Sequence, residues 1–217
     1  MSFPVSGEYN RDQWNTIQGI RTILSQLPPE EIRRLEARIQ PYLLFREELE
    51  EFQARYFAKR CRDACFETRL SACCGFESIF TFFADHVVHF LVTGVEEGSR
   101  VLAPLERPNR TNRCVYLGPE GCLWKIRPLS CAMFLCESAK KEVFARHGET
   151  EEIWKGFLTR EKEYTWPSRP VLFDEMEAYF IRRGVQSVHL YFHSSPGLLR
   201  VKAQAGLTPQ VSGRMHS

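Results

Sequence analysis

Eight cysteines all fall between positions 61 and 136, in the order Cys61-x3-Cys65-x7-Cys73-Cys74, then after 39 residues Cys114-x7-Cys122-x8-Cys131-x4-Cys136. Nothing else in the chain constrains its fold as strongly, because cysteines placed this closely must be stapled, ligated or deliberately kept apart. The first residues, Met1 to Glu8, show no basic start followed by an apolar run. The expectation is therefore a cytoplasmic protein in a reducing compartment, where clustered cysteines bind metal more often than they form disulfides. The adjacent pair Cys73-Cys74 also argues against a disulfide framework. Thiolates are soft ligands suited to zinc or iron, and four of them complete a tetrahedral shell or anchor one iron–sulfur cluster. All eight, Cys61, Cys65, Cys73, Cys74, Cys114, Cys122, Cys131 and Cys136, are candidate metal ligands, forming two sites or combining around one. Neighbouring side chains diverge, so Cys73 and Cys74 are not both expected on one ion. No C-x2-C pair of the structural-zinc kind is present, which leans toward iron–sulfur over zinc.

Around this cluster the apolar periodicity is helical. Trp14, Ile17, Ile20, Leu24 and Leu27 recur at three and four within a helix over 9–27 that stops at Pro28-Pro29. A second helix is predicted from Pro29 to about Ile39. Pro41 is expected to end it and start a third, striped by Phe45, Leu49, Phe52 and Tyr56. Phe57, Cys61 and Cys65 share a face if that helix persists. A strongly apolar helix is predicted over 78–93, capped by Ser78 and ended by Gly94. A long connection with Pro104 and Pro108 then leads to one hairpin signal: Cys114 to Leu117, a Gly-Pro-Glu-Gly turn, and Cys122 to Ile126. Helices follow over 133–147, 150–164 and 171–183, with a short strand or helix over 188–192.

Here a resemblance enters. Cys-x3-Cys, then Cys-Cys, then Cys-Val-Tyr-Leu and Gly-Cys-Leu-Trp-Lys-Ile-Arg-Pro-Leu-Ser-Cys, resembles the YkgJ-type cysteine-cluster family, described as zinc- or iron-chelating proteins. It covers residues 61 to 136 and is most specific from Cys114 to Cys131. The resemblance implies that Cys61, Cys65, Cys73, Cys74, Cys114, Cys122 and Cys131 chelate, with Cys136 as a further downstream cysteine. Two departures stand out. The spacer between Cys65 and Cys73 is wider than the family's, and Ala132 stands where many members carry Arg.

Other features carry less. Arg127 either donates to sulfurs or an acidic partner, or shapes the turn with Pro128. His86 and His89, and His189 and His193, are spaced to share a helix face and are candidate ligands, though satisfied histidines are the commoner outcome. Lys plus Arg (29) nearly balance Asp plus Glu (27), and no like-charge block suggests nucleic acid or a membrane surface. The most apolar stretch, Ile79 to Val92, is too short to span a bilayer. Neither a nucleophile elbow nor a phosphate-cradling glycine loop occurs.

The expectation is a mainly α single domain with one small β-hairpin, organised around a cysteine-ligated centre. An N-terminal helical region (1–57), a cysteine-cluster core (58–147) and a C-terminal helical region and tail (148–217) pack as one domain. The expected function is coordination of an iron–sulfur cluster or zinc, in an accessory or electron-transfer role with an unidentified protein partner. The alternatives are an iron–sulfur-dependent enzyme modifying a protein or small molecule, and a structural zinc scaffold.

Overall fold

Ile17, Ile20 and Leu24 form one buried stripe, and that stripe makes residues Glu8–Gln26 a helix (α1) that ends before Pro28-Pro29. The structure, a computed structural model, describes residues 7–68, 74–75, 80–108 and 113–207. Cys73 and Ser78 lie outside the described residues, and so does their part in the expectations above.

Pro29 at the first turn opens α2 (Pro29–Tyr56), which is one helix of 28 residues with Pro41 inside it, so Pro41 does not divide it. A mid-helix proline costs about 3 kcal/mol through its missing N–H and its ring clash. Against that, Leu35, Ile39, Tyr42, Phe45, Leu49 and Phe52 keep one continuous buried face across the position. Burying side chains of this size contributes roughly 1.5–3 kcal/mol each, so the face wins.

A short α3 (Ala58–Cys61) and a π-helical turn (Arg62–Phe66) follow. The apolar helix α4 (Phe83–Gly98) begins at Phe83, where Asp85 Oδ2 accepts the Phe82 N–H at 2.9 Å. Gly94 breaks the helix with φ 76°, as its position suggested, and a further turn continues to Gly98. The connection after it is ordered as a 3-10 helix (Ser99–Glu106) because Val101, Leu102 and Leu105 are buried against the core.

The hairpin forms but is short. β1 (Leu117–Gly118) pairs antiparallel with β2 (Gly121–Cys122) in the register Leu117 to Cys122. A separate one-turn α5 (Leu129–Ala132) precedes the helix predicted over 133–147, which itself starts later, as α6 (Glu137–Arg146). Then come α7 (Glu149–Thr165), α8 (Leu172–Ile181), a one-turn α9 (Tyr191–Ser194) and α10 (Pro196–Gln204).

The fold is mainly helical with one two-stranded hairpin. α4 is central, packing against α1, α2 and α8, while α7 closes on α2 and α8. Aromatic rings fill the α2–α7–α8 junction: Tyr42 meets Tyr164 and Phe173 edge-on at 5.1 and 5.4 Å. Among the described residues no helix is long and apolar enough to cross a membrane.

Candidate functional site

The Cys74 and Cys114 stretches are joined through the main chain. The Cys114 N–H donates to the Cys74 carbonyl at 2.6 Å, and Gly75 bridges Arg113 antiparallel beside it. Positions 40 apart in sequence are thereby joined, and the hairpin segment carries the thiols of Cys114 and Cys122.

The hairpin repeats one device. Cys114-Val-Tyr116 and Cys122-Leu-Trp124 each place an aromatic ring two residues after the cysteine, and both rings are buried and meet edge-on at 5.4 Å. Once the ring is fixed, the intervening turn aims a backbone N–H at sulfur. Tyr116 N lies 3.4 Å from Cys114 Sγ, and the Trp124 N–H likewise favours the Cys122 thiolate. N–H donors facing sulfur stabilise charge on it, as outer-shell groups do around metal thiolates.

The third thiol sits on α5, whose segment is tied at every point. Arg46 donates to the Arg127 carbonyl at 2.8 Å, and the Arg127 guanidinium to Gln53 Oε1 at 2.6 Å. Gln53 in turn donates to the Ala132 carbonyl, and Ser130 to the Phe80 carbonyl. Asp85 Oδ1 accepts the Leu129 N–H at 2.9 Å. Asp85 is fully buried. That burial raises its pKa to about 6, against the pull of the Leu129 and Phe82 N–H groups and of Arg46.

Cys114, Cys122 and Cys131 act on one another electrostatically. Burial pushes the Cys114 thiol up to about 12, and the neighbouring Cys122 and Cys131 push it further. Burial likewise lifts Cys131 to about 11, with Asp85 and Cys122 adding to the shift and Ser130 and Arg127 opposing it. Cys122 is exposed at the end of β2, yet the desolvating atoms around it raise its thiol while the Trp124 N–H and Arg127 lower it. Among the described residues Arg127 donates to Gln53 and not to a sulfur or a carboxylate, and its charge favours the thiolate form of Cys122 and Cys131.

The remaining cysteines are elsewhere in the framework. Cys61 ends α3 and Cys65 lies in the π turn, both half-buried. Cys136 caps α6 with its Sγ 3.4 Å from Ser138 Oγ. Among the described residues no three His, Cys, Asp or Glu side chains are grouped closely enough to hold a metal ion. Cys114, Cys122 and Cys131 are soft donors near enough to influence one another's charge, but as placed they do not form a metal shell.

Beneath the hairpin lies a buried polar network that sequence patterning missed. The Gln13 amide donates to Thr81 Oγ1 at 2.8 Å and lies 3.3 Å from His189 Nε2, while its carbonyl oxygen accepts from Tyr116 OH at 3.0 Å. His86 Nε2 reaches Thr81 Oγ1 at 3.3 Å. The imidazoles of His86 and His89 flank the Trp124 ring at 4.9 and 5.0 Å. Burial lowers all three histidine pKa values, His189 to about 4, so the imidazoles are neutral near pH 7. His86 Nδ1, His89 Nδ1 and Trp124 Nε1 have no hydrogen-bond partner among the described residues. The available signal was Asn10, Gln13 and Thr16 recurring every third residue next to the apolar stripe of α1, all three buried.

A cavity of about 380 Å³ opens beside Arg127 and Ala132, walled by Arg46 and Glu50 and floored by Leu43, Leu49 and Ile126. The chain matches no family model, no curated protein and no solved structure.

Proposed function

We propose that the chain holds an iron–sulfur cluster or a zinc ion through thiolates, with Cys114, Cys122 and Cys131 in the donor set and a fourth thiol from the Cys73-Cys74 pair. The observation that supports this is the mutual electrostatic influence of Cys114, Cys122 and Cys131, two of them with a backbone N–H aimed at sulfur, beside the main-chain hydrogen bond from Cys114 to Cys74. Thiols raised by burial rest protonated, and their thiolate form is costly without a cation beside it; a bound metal would supply that charge as the protons leave. A cluster would add one-electron chemistry, and zinc a redox-silent clamp. The missing C-x2-C spacing keeps iron–sulfur ahead of zinc.

The test is elemental analysis with a visible spectrum on anaerobically purified protein, repeated for Cys114→Ser and Cys131→Ser. Iron with sulfide and visible absorption, or stoichiometric zinc without colour, supports the proposal if both variants lose metal. Full metal stoichiometry in both variants sinks it. A second reading, an enzyme acting at that centre, draws on the 380 Å³ cavity beside Arg127 and Ala132.

A further inference from the structure

The cavity of about 380 Å³ beside the thiol turn has charges of both signs in its wall, and they do not pair. Two guanidiniums are withdrawn from solvent: Arg46 is 7% exposed and Arg127 is half-buried. Three carboxylates, those of Glu47, Glu50 and Glu51 on α2, are exposed. Leu43, Leu49, Val92 and Ile126 make the rest of the wall mainly apolar.

Among the described residues neither arginine has a carboxylate within ion-pair reach. Arg46 donates to Tyr42 OH and to the Arg127 carbonyl, each at 2.8 Å, and its Nε has no partner. Arg127 donates to the uncharged Gln53 amide at 2.6 Å. Asp85 feels the charge of Arg46, but its two oxygens are taken by the Phe82 and Leu129 N–H groups. Arginine is rarely buried without a paired carboxylate, because its lost hydration is otherwise uncompensated. Such a pair was within reach. Glu50 lies four residues after Arg46, the spacing at which charges meet along a helix face. Arg46 instead turns inward to the Arg127 carbonyl, and Glu50 stays in water. Exposed glutamates are satisfied by solvent, so it is the two guanidiniums that lack a counterpart.

We propose that this cavity binds a free α-amino acid with an apolar side chain. Its carboxylate meets the Arg127 guanidinium in the field of Arg46, its ammonium meets Glu47 and Glu50, and its side chain covers Leu43, Leu49 and Ile126. A guanidinium fork offers a carboxylate two parallel charge-assisted hydrogen bonds. A simple anion would face three glutamates, and a simple amine would leave the arginines without a counterpart, so a zwitterion fits the wall best. The volume is near the lower end of small-molecule sites, which suits one amino acid better than a peptide or a nucleotide. The inference rests on the reading of this cavity as a substrate site, and it names the class of substrate.

The probe is L-leucine, titrated calorimetrically into the full chain at low salt. Isocaproate, which lacks the ammonium, and isoamylamine, which lacks the carboxylate, are the controls. One saturable leucine site is expected, with each control weaker by about tenfold or more. The double variant Glu47→Gln/Glu50→Gln, at exposed positions, is expected to weaken leucine by a similar factor. So is Arg127→Gln, with circular dichroism checking the fold because Gln53 loses its donor. No saturable leucine site, a control that binds as tightly as leucine, or undiminished binding in the glutamate variant overturns the proposal. Metal content is measured on the same samples. Metal-bearing protein that ignores leucine overturns this inference alone, whereas metal-free protein that binds leucine supports it and counts against the metal reading.

Discussion

Glu177 shows how a single residue sets a pH dependence. Burial raises its carboxyl to about 7, against the opposing pull of His193, the Phe192 N–H and the added push of Asp174. Its ordinary value is 4.5, so between roughly pH 4.5 and 7 the folded protein holds a proton that the unfolded chain has released. The stabilisation linked to this group is fully present below that window and is lost as pH rises through it. Glu177→Gln removes the titration. The variant's stability relative to the wild type should therefore improve steadily from pH 5 to pH 8, measured by urea unfolding. A parallel pair of curves would refute the assignment. His189, lowered to about 4, works in the opposite sense, gaining stability as pH rises from about 4 to 6.5. Glu177 did not announce itself in the sequence, and His189 did so only as a candidate ligand. Glu177 sits in an ordinary amphipathic helix, and His189 and His193, expected to share a face, serve separate networks because the chain turns between them into the one-turn α9.

At the level of elements, the sequence was most readable where apolar spacing and breakers agree. α1, α7 and α8 lie within a few residues of their predicted spans, and Gly94 breaks α4 where its position said it would. An added Cβ at Gly94 meets nothing within 4 Å, so Gly94→Ala isolates the backbone cost of a left-handed residue. Thermal or urea unfolding should show a loss of about 1 kcal/mol. No loss would mean that the chain relaxes out of that conformation without penalty. Pro41 misled in the other direction, because local propensity is a small term beside a buried face six side chains long. The hairpin was legible from Cys114 to Ile126, yet its strands hold only two residues each. Buried aromatic rings and hydrogen bonds from neighbouring helices hold the rest, and those partners lie too far along the chain for local pattern to reveal.

For the molecule as a whole, one buried apolar core extends from Ile17 to Phe192 and takes in Tyr116 and Trp124 beside the cysteines of the hairpin. A metal that binds only the folded state adds stability by mass action, about 4 kcal/mol at a thousandfold excess over its dissociation constant. Chelator-treated protein should keep its far-ultraviolet helical signal and melt at a lower temperature. Loss of the helical signal on chelation would show that the core depends on the metal after all. Asp85 joins two distant stretches of the chain. It grips the Phe82 N–H next to it and the Leu129 N–H 44 residues downstream. One buried carboxylate thus closes a long loop from inside the fold, and the turn that carries Cys131 is tethered to α4 by the chain's own atoms.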